Sequence, residues 1–301
     1  SFFLGSKDAQ DMVELCKESA RRGYVAISME YRLGLNILSS YSGERAVYRG
    51  IQDGSAIIRF LREYHDEFNI NPEKIFLWGS SAGSFIGLHL AYLEDSERPL
   101  STFGNDFDPD LGCIDCEGNT FIHSNKPAAV VSMWGAISDL EFIDSYENIP
   151  VALFHGTNDI VVPYDEGYPF TLGITLPVVY GSSKISEKMN SFDISHSIVL
   201  EESEPHEYYG AINGNLNLGG GPNAYWDSIL NDSYQFLFSY LNINGDVNDD
   251  GLLNIQDIVI IINFILDIQD PSDQEFEIAD MNSDGTLNVL DIILIVDEIT
   301  L

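Results

Sequence analysis

Basic residues are scarce in this chain. It holds 14 Lys and Arg against 48 Asp and Glu in 301 residues, a formal net charge of -34, and Lys188 is the last cation. Phosphate contacts need Lys and Arg, so the composition argues against nucleic acid as a partner. It suits solubility, divalent cations or a saline medium. Long apolar runs are missing too. The longest candidate, Ile258–Leu266, falls far short of the roughly 18 residues of a membrane span. An initiating Met and a signal peptide are absent. Ser1–Gly5 reads like the middle of a domain, so further residues are expected before Ser1.

Cysteine is limited to Cys16, Cys113 and Cys116. Cys16 lies in a helical pattern and is expected to be buried. Cys113 and Cys116 form a C-x-x-C in a loop-like stretch. No second C-x-x-C or His cluster follows, which argues against zinc, and the pair does not open a helix after a strand, which argues against a redox motif. A loop-stapling disulfide is the expectation, and two free thiols the alternative.

Hydrophobic spacing predicts helices over Asp8–Arg22, Arg45–Phe68, Ala82–Leu93 and Asn223–Leu241, and a short helix within Tyr180–Ser191. Tyr24–Tyr31, Lys74–Trp78, Ala128–Trp134, Val151–His155 and Ser197–Leu200 read as strands. Glu94–Lys126 is polar and aperiodic, a long loop or lid insertion, and Asn213–Pro222 is a Gly- and Asn-rich loop. Pocket shape is expected from these two loops and the Tyr164–Val179 region. Strands alternating with helices imply an α/β fold with a parallel sheet. The alternation stops at Asn242, which places one domain over residues 1–241 and a second over 245–301.

Gly79-Ser80-Ser81-Ala82-Gly83 fits G-x-S-x-G, with a buried strand before it and an apolar helix after it. Such a turn is tight, and Gly79 and Gly83 supply the small residues expected at both flanks. It lifts the Ser81 hydroxyl out of the sheet, and the Ala82 N–H becomes an oxyanion donor. A serine nucleophile needs a base, and the base needs an orienting carboxylate. Among the six histidines, His155 ends a strand and reads as structural. His206, in a loop after the last strand, is the favoured base, with His196 as the runner-up. Asp159, in the loop after Val151–Phe154, is the favoured acid, and Asp139 the alternative.

Gly23–Gly34, Asn71–Gly83 and His155–Pro163 together resemble carboxylesterases and feruloyl-esterase-like hydrolases over roughly residues 1–241. The resemblance implies an α/β-hydrolase fold, a doubly wound, mostly parallel sheet, here without its amino-terminal strands. It also implies acyl transfer through a Ser81, Asp159 and His206 triad. In that family a His-Gly-Gly-type stretch precedes a segment like Ser1–Lys7 and supplies a second oxyanion donor, and that stretch is not in the chain.

An internal repeat fills the carboxyl end, with loops starting at Asp246 and Asp280, about 34 residues apart. Asp246, Asn248, Asp250, Asn254 and Asp257 fall at the oxygen-bearing positions of a calcium loop, with Gly251 at the sharp turn and Leu252 lending a carbonyl. Asp280, Asn282, Asp284, Asn288 and Asp291 repeat them, with Gly285 and Thr286 in the matching places. Two calcium ions are expected. Helical apolar runs follow at Ile258–Leu266 and Val289–Val296. This pair resembles a type I dockerin, a small all-α, EF-hand-like module. The resemblance implies cohesin docking. Many cohesin-binding dockerins carry hydroxyl residues where this chain has Ile255-Gln256 and Val289-Leu290, so an intramolecular or cell-surface role stands beside it.

Together these readings predict a secreted serine esterase with a calcium-binding appendage and, by analogy, polysaccharide-linked ester substrates. A serine peptidase or other acyl hydrolase of the same fold is one alternative. A non-catalytic adhesion or scaffold module is the other.

Overall fold

The computed structural model describes residues 2, 4–36, 38–146, 148–171, 176–241, 244–248 and 253–300. The chain divides into two compact units, Ser1–Asn231 and Asp232–Leu301.

The first unit opens with α1 (Gln10–Arg21), α2 (Ser40–Glu63) and α3 (His65–Phe68). The Ser39 hydroxyl caps α2 by accepting from Ser42 N. The expected single helix over Arg45–Phe68 breaks at Tyr64, and left-handed Asn69 ends α3. Tyr24–Tyr31, expected as a strand, pairs with no ladder among the described residues. Its alternation is real, since every second side chain from Tyr24 to Ser28 is half-buried. Alternation sets which face is covered, but a strand also needs a hydrogen-bonded neighbour.

The sheet then builds from β1 (Phe76–Ser80), β2 (Ala129–Met133), β4 (Val151–Gly156) and β7 (His196–Glu201), all parallel, in the order β1-β2-β4-β7. Every residue of β2 and β4 is buried, as central strands covered on both faces must be. A small antiparallel sheet of β3 (Ala136–Ile137), β5 (Glu166–Gly167) and β6 (Val179–Gly181) is separate. α4 (Ala82–Tyr92) follows β1 directly and is almost wholly buried. Its Phe85, Ile86 and Leu90 join one core with Tyr48, Ile51 and Ile58 of α2. Its Leu88, Ala91 and Tyr92 join another with Val130, Leu153 and residues of α5 (Ser182–Ser191). The unit ends with a short helix, α6 (Leu216–Gly219), inside the expected loop Asn213–Pro222, and with α7 (Ala224–Phe238), which runs into the second unit's sequence.

Residues 94–126, read as a loop or lid, hold two 3-10 turns at Asp95–Glu97 and Leu100–Thr102. Arginines of α2 strap this segment down. Arg45 donates to the Ser101 and Pro109 carbonyls at 2.8 and 2.6 Å. Arg59 donates to those of Glu117, Asn119 and Phe121, and Arg62 to those of Ser124 and Lys126. Backbone carbonyls without a ladder are thus satisfied by buried guanidinium groups, and a Cys113–Cys116 disulfide staples residues three apart within the segment. Cys16 is half-buried rather than buried, because it sits at the margin of α1's inward face.

The second unit packs α8 (Ile255–Ile265), α9 (Asp273–Ala279) and α10 (Val289–Thr300) around Ile258, Ile261, Phe264, Ala279 and Ile295.

Candidate active site

Ser81 sits between β1 and α4 with φ 53° and ψ -110°, a strained conformation for a residue with a side chain. Its N–H donates to the Met133 carbonyl at 3.0 Å, which pins the turn to the end of β2. A Cβ on Gly79 would lie 2.2 Å from Gly83 C and 2.3 Å from Ser84 N. The strand therefore touches the helix backbone there, and only glycine fits. Gly83 differs from expectation, since a Cβ there meets nothing within 4 Å. The close approach is one-sided because Gly79 points its missing side chain at α4, while Gly83 points away from β1.

Asp159 lies in the turn after β4. Its Oδ1 accepts from Val161 N and Val162 N at 2.8 and 2.9 Å, and its side chain is fully buried. His206 lies in the loop after β7. That loop is tied to the Asp159 turn beyond the sheet's edge: Thr157 N donates to Glu201 O at 2.9 Å, Asn158 N to Glu204 O at 3.0 Å, and Ser203 N to Thr157 Oγ1 at 2.9 Å. Gly156 makes the approach feasible, because a Cβ there would stand 2.2 Å from Glu204 O.

These three elements bring the side chains together at the carboxyl ends of the strands. His206 Nδ1 lies 2.6 Å from Asp159 Oδ2, and His206 Nε2 lies 3.0 Å from Ser81 Oγ. A carboxylate only accepts, so Nδ1 carries the proton, and the neutral ring then presents its Nε2 lone pair to the Ser81 hydroxyl. Burial alone would raise the Asp159 pKa and disfavour the carboxylate. Hydrogen bonds from His155 and His206 outweigh it and hold the carboxyl well below the usual carboxylate range. Ala82 opens α4 beside Ser81 and lines the same cavity.

The alternatives fall elsewhere. His196 pairs with Val151 at the amino end of the sheet, and its Nε2 lies 2.8 Å from Ser186 Oγ. Asp139 accepts from Glu141 N at 3.0 Å and caps a 3-10 turn. Sequence reasoning missed Trp134. Its backbone has φ 43°, its Nε1 donates to Ser80 Oγ at 2.9 Å, and its ring stands edge-on to His206 at 6.1 Å. The signal was a bulky aromatic directly after a buried strand, read only as the strand's end.

A cavity of about 120 Å³ opens on Ser81, Ala82 and His206. Of the three regions expected to shape it, 164–179 contributes Pro169, Phe170, Leu176, Pro177 and Val179, while the other two give only Pro99 and Asn213. Much of the remaining wall is Val47, Tyr48 and Ile51 of α2 and Phe85 and His89 of α4. Burial pushes the His89 imidazole down to about 4, against a bond to the Phe85 carbonyl that favours the charged form.

In the second unit, Asp280 Oδ2 accepts from Gly285 N at 2.7 Å, Asn282 Oδ1 from Asp284 N at 2.9 Å, and Asp284 Oδ1 from Thr286 N at 2.9 Å. Gly285 takes φ +78°, the left-handed turn expected of it. Asp291 is fully buried. Its Oδ2 accepts from Asn288 N, and its Oδ1 has no hydrogen-bond partner. A buried carboxylate oxygen left in this state fits a cation ligand. In the first loop Asp246 and Asp257 are buried, and Asp257 Oδ2 accepts from Asn254 N at 2.8 Å. Asn248 N donates to Asp257 Oδ1 at 3.4 Å. Asp250, Gly251 and Leu252 lie outside the described residues. Among the described residues no three His, Cys, Asp or Glu gather at one point, and both loops mix Asn with Asp.

Residues 1–145 match the BD-FAE family model, and residues 244–300 match the dockerin type I domain. No curated protein matches the chain. Among solved structures, Thermogutta terrifontis esterase 2 phosphorylated by paraoxon is 21% identical, with a TM-score of 0.53 over 79% of this chain and 78% of that one. The propionate-bound form of that esterase is also 21% identical, with a TM-score of 0.53 over 79% of each chain. MGS-M1, an alpha/beta hydrolase enzyme from a Medee basin deep-sea metagenome library, is 20% identical, with a TM-score of 0.52 over 80% of each chain. At these identities the likeness establishes the fold. Dockerin type I domains bind calcium and cohesins, and they are typical of extracellular cellulosome components. The chain thus joins an esterase-like α/β-hydrolase domain, of the BD-FAE type, to a type I dockerin domain.

Proposed function

We propose that this chain is a secreted serine esterase that hydrolyses carboxylic esters through an acyl-enzyme on Ser81. The observation that carries the reading is the continuous relay from Ser81 Oγ through His206 to the buried Asp159 carboxylate. His206 Nε2 takes the hydroxyl proton as Ser81 Oγ attacks the ester carbonyl. Asp159 holds the ring in the required tautomer and balances the imidazolium. The Ala82 N–H, at the start of α4, faces the developing oxyanion. His206 returns the proton to the departing alcohol, and the same base then activates water to release the acid. The apolar cavity receives an uncharged part of the substrate, which a polysaccharide-linked acyl ester would provide.

The carboxyl-terminal module, from residue 245 onward, takes two calcium ions. One ion is held by Asp246, Asn248, Asp250, Leu252, Asn254 and Asp257. The other is held by Asp280, Asn282, Asp284, Thr286, Asn288 and Asp291. Bound calcium supplies positive charge that neutralises the buried Asp246, Asp257 and Asp291 carboxylates. The module attaches the hydrolase, residues 1–241, to a cohesin or a cell-surface partner. Thermogutta esterase 2 is phosphorylated by paraoxon, and the same reagent class tests Ser81 here. The expected result is turnover of p-nitrophenyl acetate, loss of that turnover in Ser81→Ala, and fluorophosphonate labelling confined to Ser81. No turnover and no labelling would remove the esterase reading.

A further inference from the structure

Asp159 Oδ2 faces two imidazoles. His206 Nδ1 approaches it at 2.6 Å, and His155 Nε2 at 3.3 Å from the opposite loop end. His155 is fully buried, one residue before the end of β4. Its Nε2 also lies 3.1 Å from the Val162 carbonyl, and its Nδ1 lies 2.9 Å from Ser182 Oγ. The Val162 carbonyl and the Asp159 carboxylate are both acceptors, so the proton belongs on Nε2, shared between them. The Ser182 hydroxyl, itself fully buried, then donates to Nδ1 and fixes that tautomer. A histidine kept only to fill space needs none of this. Here every ring nitrogen is committed, and one commitment is to the oxygen that holds His206.

We propose that His155 is a positioning residue for the Asp159–His206 pair, a second donor that limits how tightly the carboxylate keeps a proton on His206. The inference rests on the reading of Ser81, Asp159 and His206 as a triad. A carboxylate that spends part of its charge on His155 attracts the His206 imidazolium less. Removing that donor concentrates the charge on His206 and raises the pH at which its ring gives up its proton. The charged or titratable groups around His206 are Asp159 and, through it, His155. Glu207 follows on its own loop, with Asp11 and Tyr209 behind Glu207. None of these other groups touches His155.

The test uses the full chain with three variants: His155→Leu, His155→Gln and Ser182→Ala. Two readouts are taken, the acid limb of the pH profile of kcat/KM on p-nitrophenyl acetate and the NMR titration of the His206 ring. In His155→Leu both midpoints should rise by about 0.5–1 pH unit. The same variant should lose about tenfold in kcat, with KM within about twofold. His155→Gln restores a side-chain N–H donor and should return both midpoints toward wild type. Ser182→Ala keeps the ring but releases its tautomer, and should give a smaller rise in the same direction. It also serves where His155→Leu does not fold. A variant set that lowers the melting temperature while leaving both midpoints at the wild-type value overturns the proposal. The NMR titration needs no turnover. A chain without ester hydrolysis but with the shifted ring therefore refutes the esterase reading and not this one.

Discussion

Replacing Gly79 by alanine places a methyl group where the backbone of α4 already stands. The clashing atoms are Gly83 C at 2.2 Å, Ser84 N at 2.3 Å and Gly83 O at 2.4 Å. None of them is the tip of a flexible side chain, so relief requires the helix to move off the strand. Overpacking of a well-filled interior costs about 1–3 kcal/mol, and rigid backbone on both sides puts this case at the upper end. For a domain of this size each kcal/mol lowers the melting temperature by roughly 2–4 °C. Gly79→Ala should therefore melt about 6–12 °C lower than wild type. Gly83→Ala is the internal control. It faces open space and gains helix propensity of about 1 kcal/mol at most. Its melting temperature should stay within about 3 °C of wild type or rise slightly. Thermal unfolding followed by circular dichroism on the full chain reads both. If the two variants melt together, contact between β1 and α4 is not what demands glycine in the turn.

Two further outcomes concern buried ionisable groups. His89 is neutral in the fold, and burial holds it at about 4, whereas an unfolded chain protonates it near 6.5. The unfolded state thus binds the extra proton first, and stability falls as pH drops from about 6.5 to about 4, by about 3 kcal/mol in all. His89→Gln should flatten that slope in urea melts taken at pH 7 and pH 4, and an unchanged slope would show that another group carries it. In the dockerin domain, chelation with EDTA should lower the thermal midpoint of its transition, and calcium at a thousandfold excess over its Kd should restore about 4 kcal/mol. Asp291→Asn should weaken that response, as measured by calorimetry with and without calcium.

The residues of the candidate site were legible in the sequence because each carries a local signal. Ser81 stands in a G-x-S-x-G turn whose Gly79 is sterically required, and Asp159 and His206 each follow a strand in the expected chain order. The parts that were not legible depend on what lies across from them. Val47, Tyr48 and Ile51 form one apolar helix face, and the pattern is the same whether that face meets a core or a cavity. Tyr24–Tyr31 alternates like a strand, but alternation is blind to whether a hydrogen-bonding neighbour exists. Gly79 and Gly83 look equivalent in the motif, and only the direction of each missing Cβ separates them. His155 reads as a strand residue until the loop after it folds Asp159 back onto its ring. The helix Asp273–Ala279 did carry a signal. Ser272 and Glu275 form a reciprocal capping box at its start.

The ties between the Asp159 turn and the His206 loop have a mechanical consequence. β4 and β7 stay laced together past the point where the sheet ends, and Gly156 lets the two strips of backbone touch. Carboxylate and imidazole are therefore mounted on one plate. Ser81 stands farther along the same sheet, on the β1–α4 turn, which is anchored to the end of β2. The 2.6 Å contact therefore lies within one laced pair of neighbouring strands, whereas the 3.0 Å contact between His206 and Ser81 reaches from the loop after β7 to the turn after β1. Of the two contacts, only the one to Ser81 Oγ joins elements whose strands are not neighbours in the sheet.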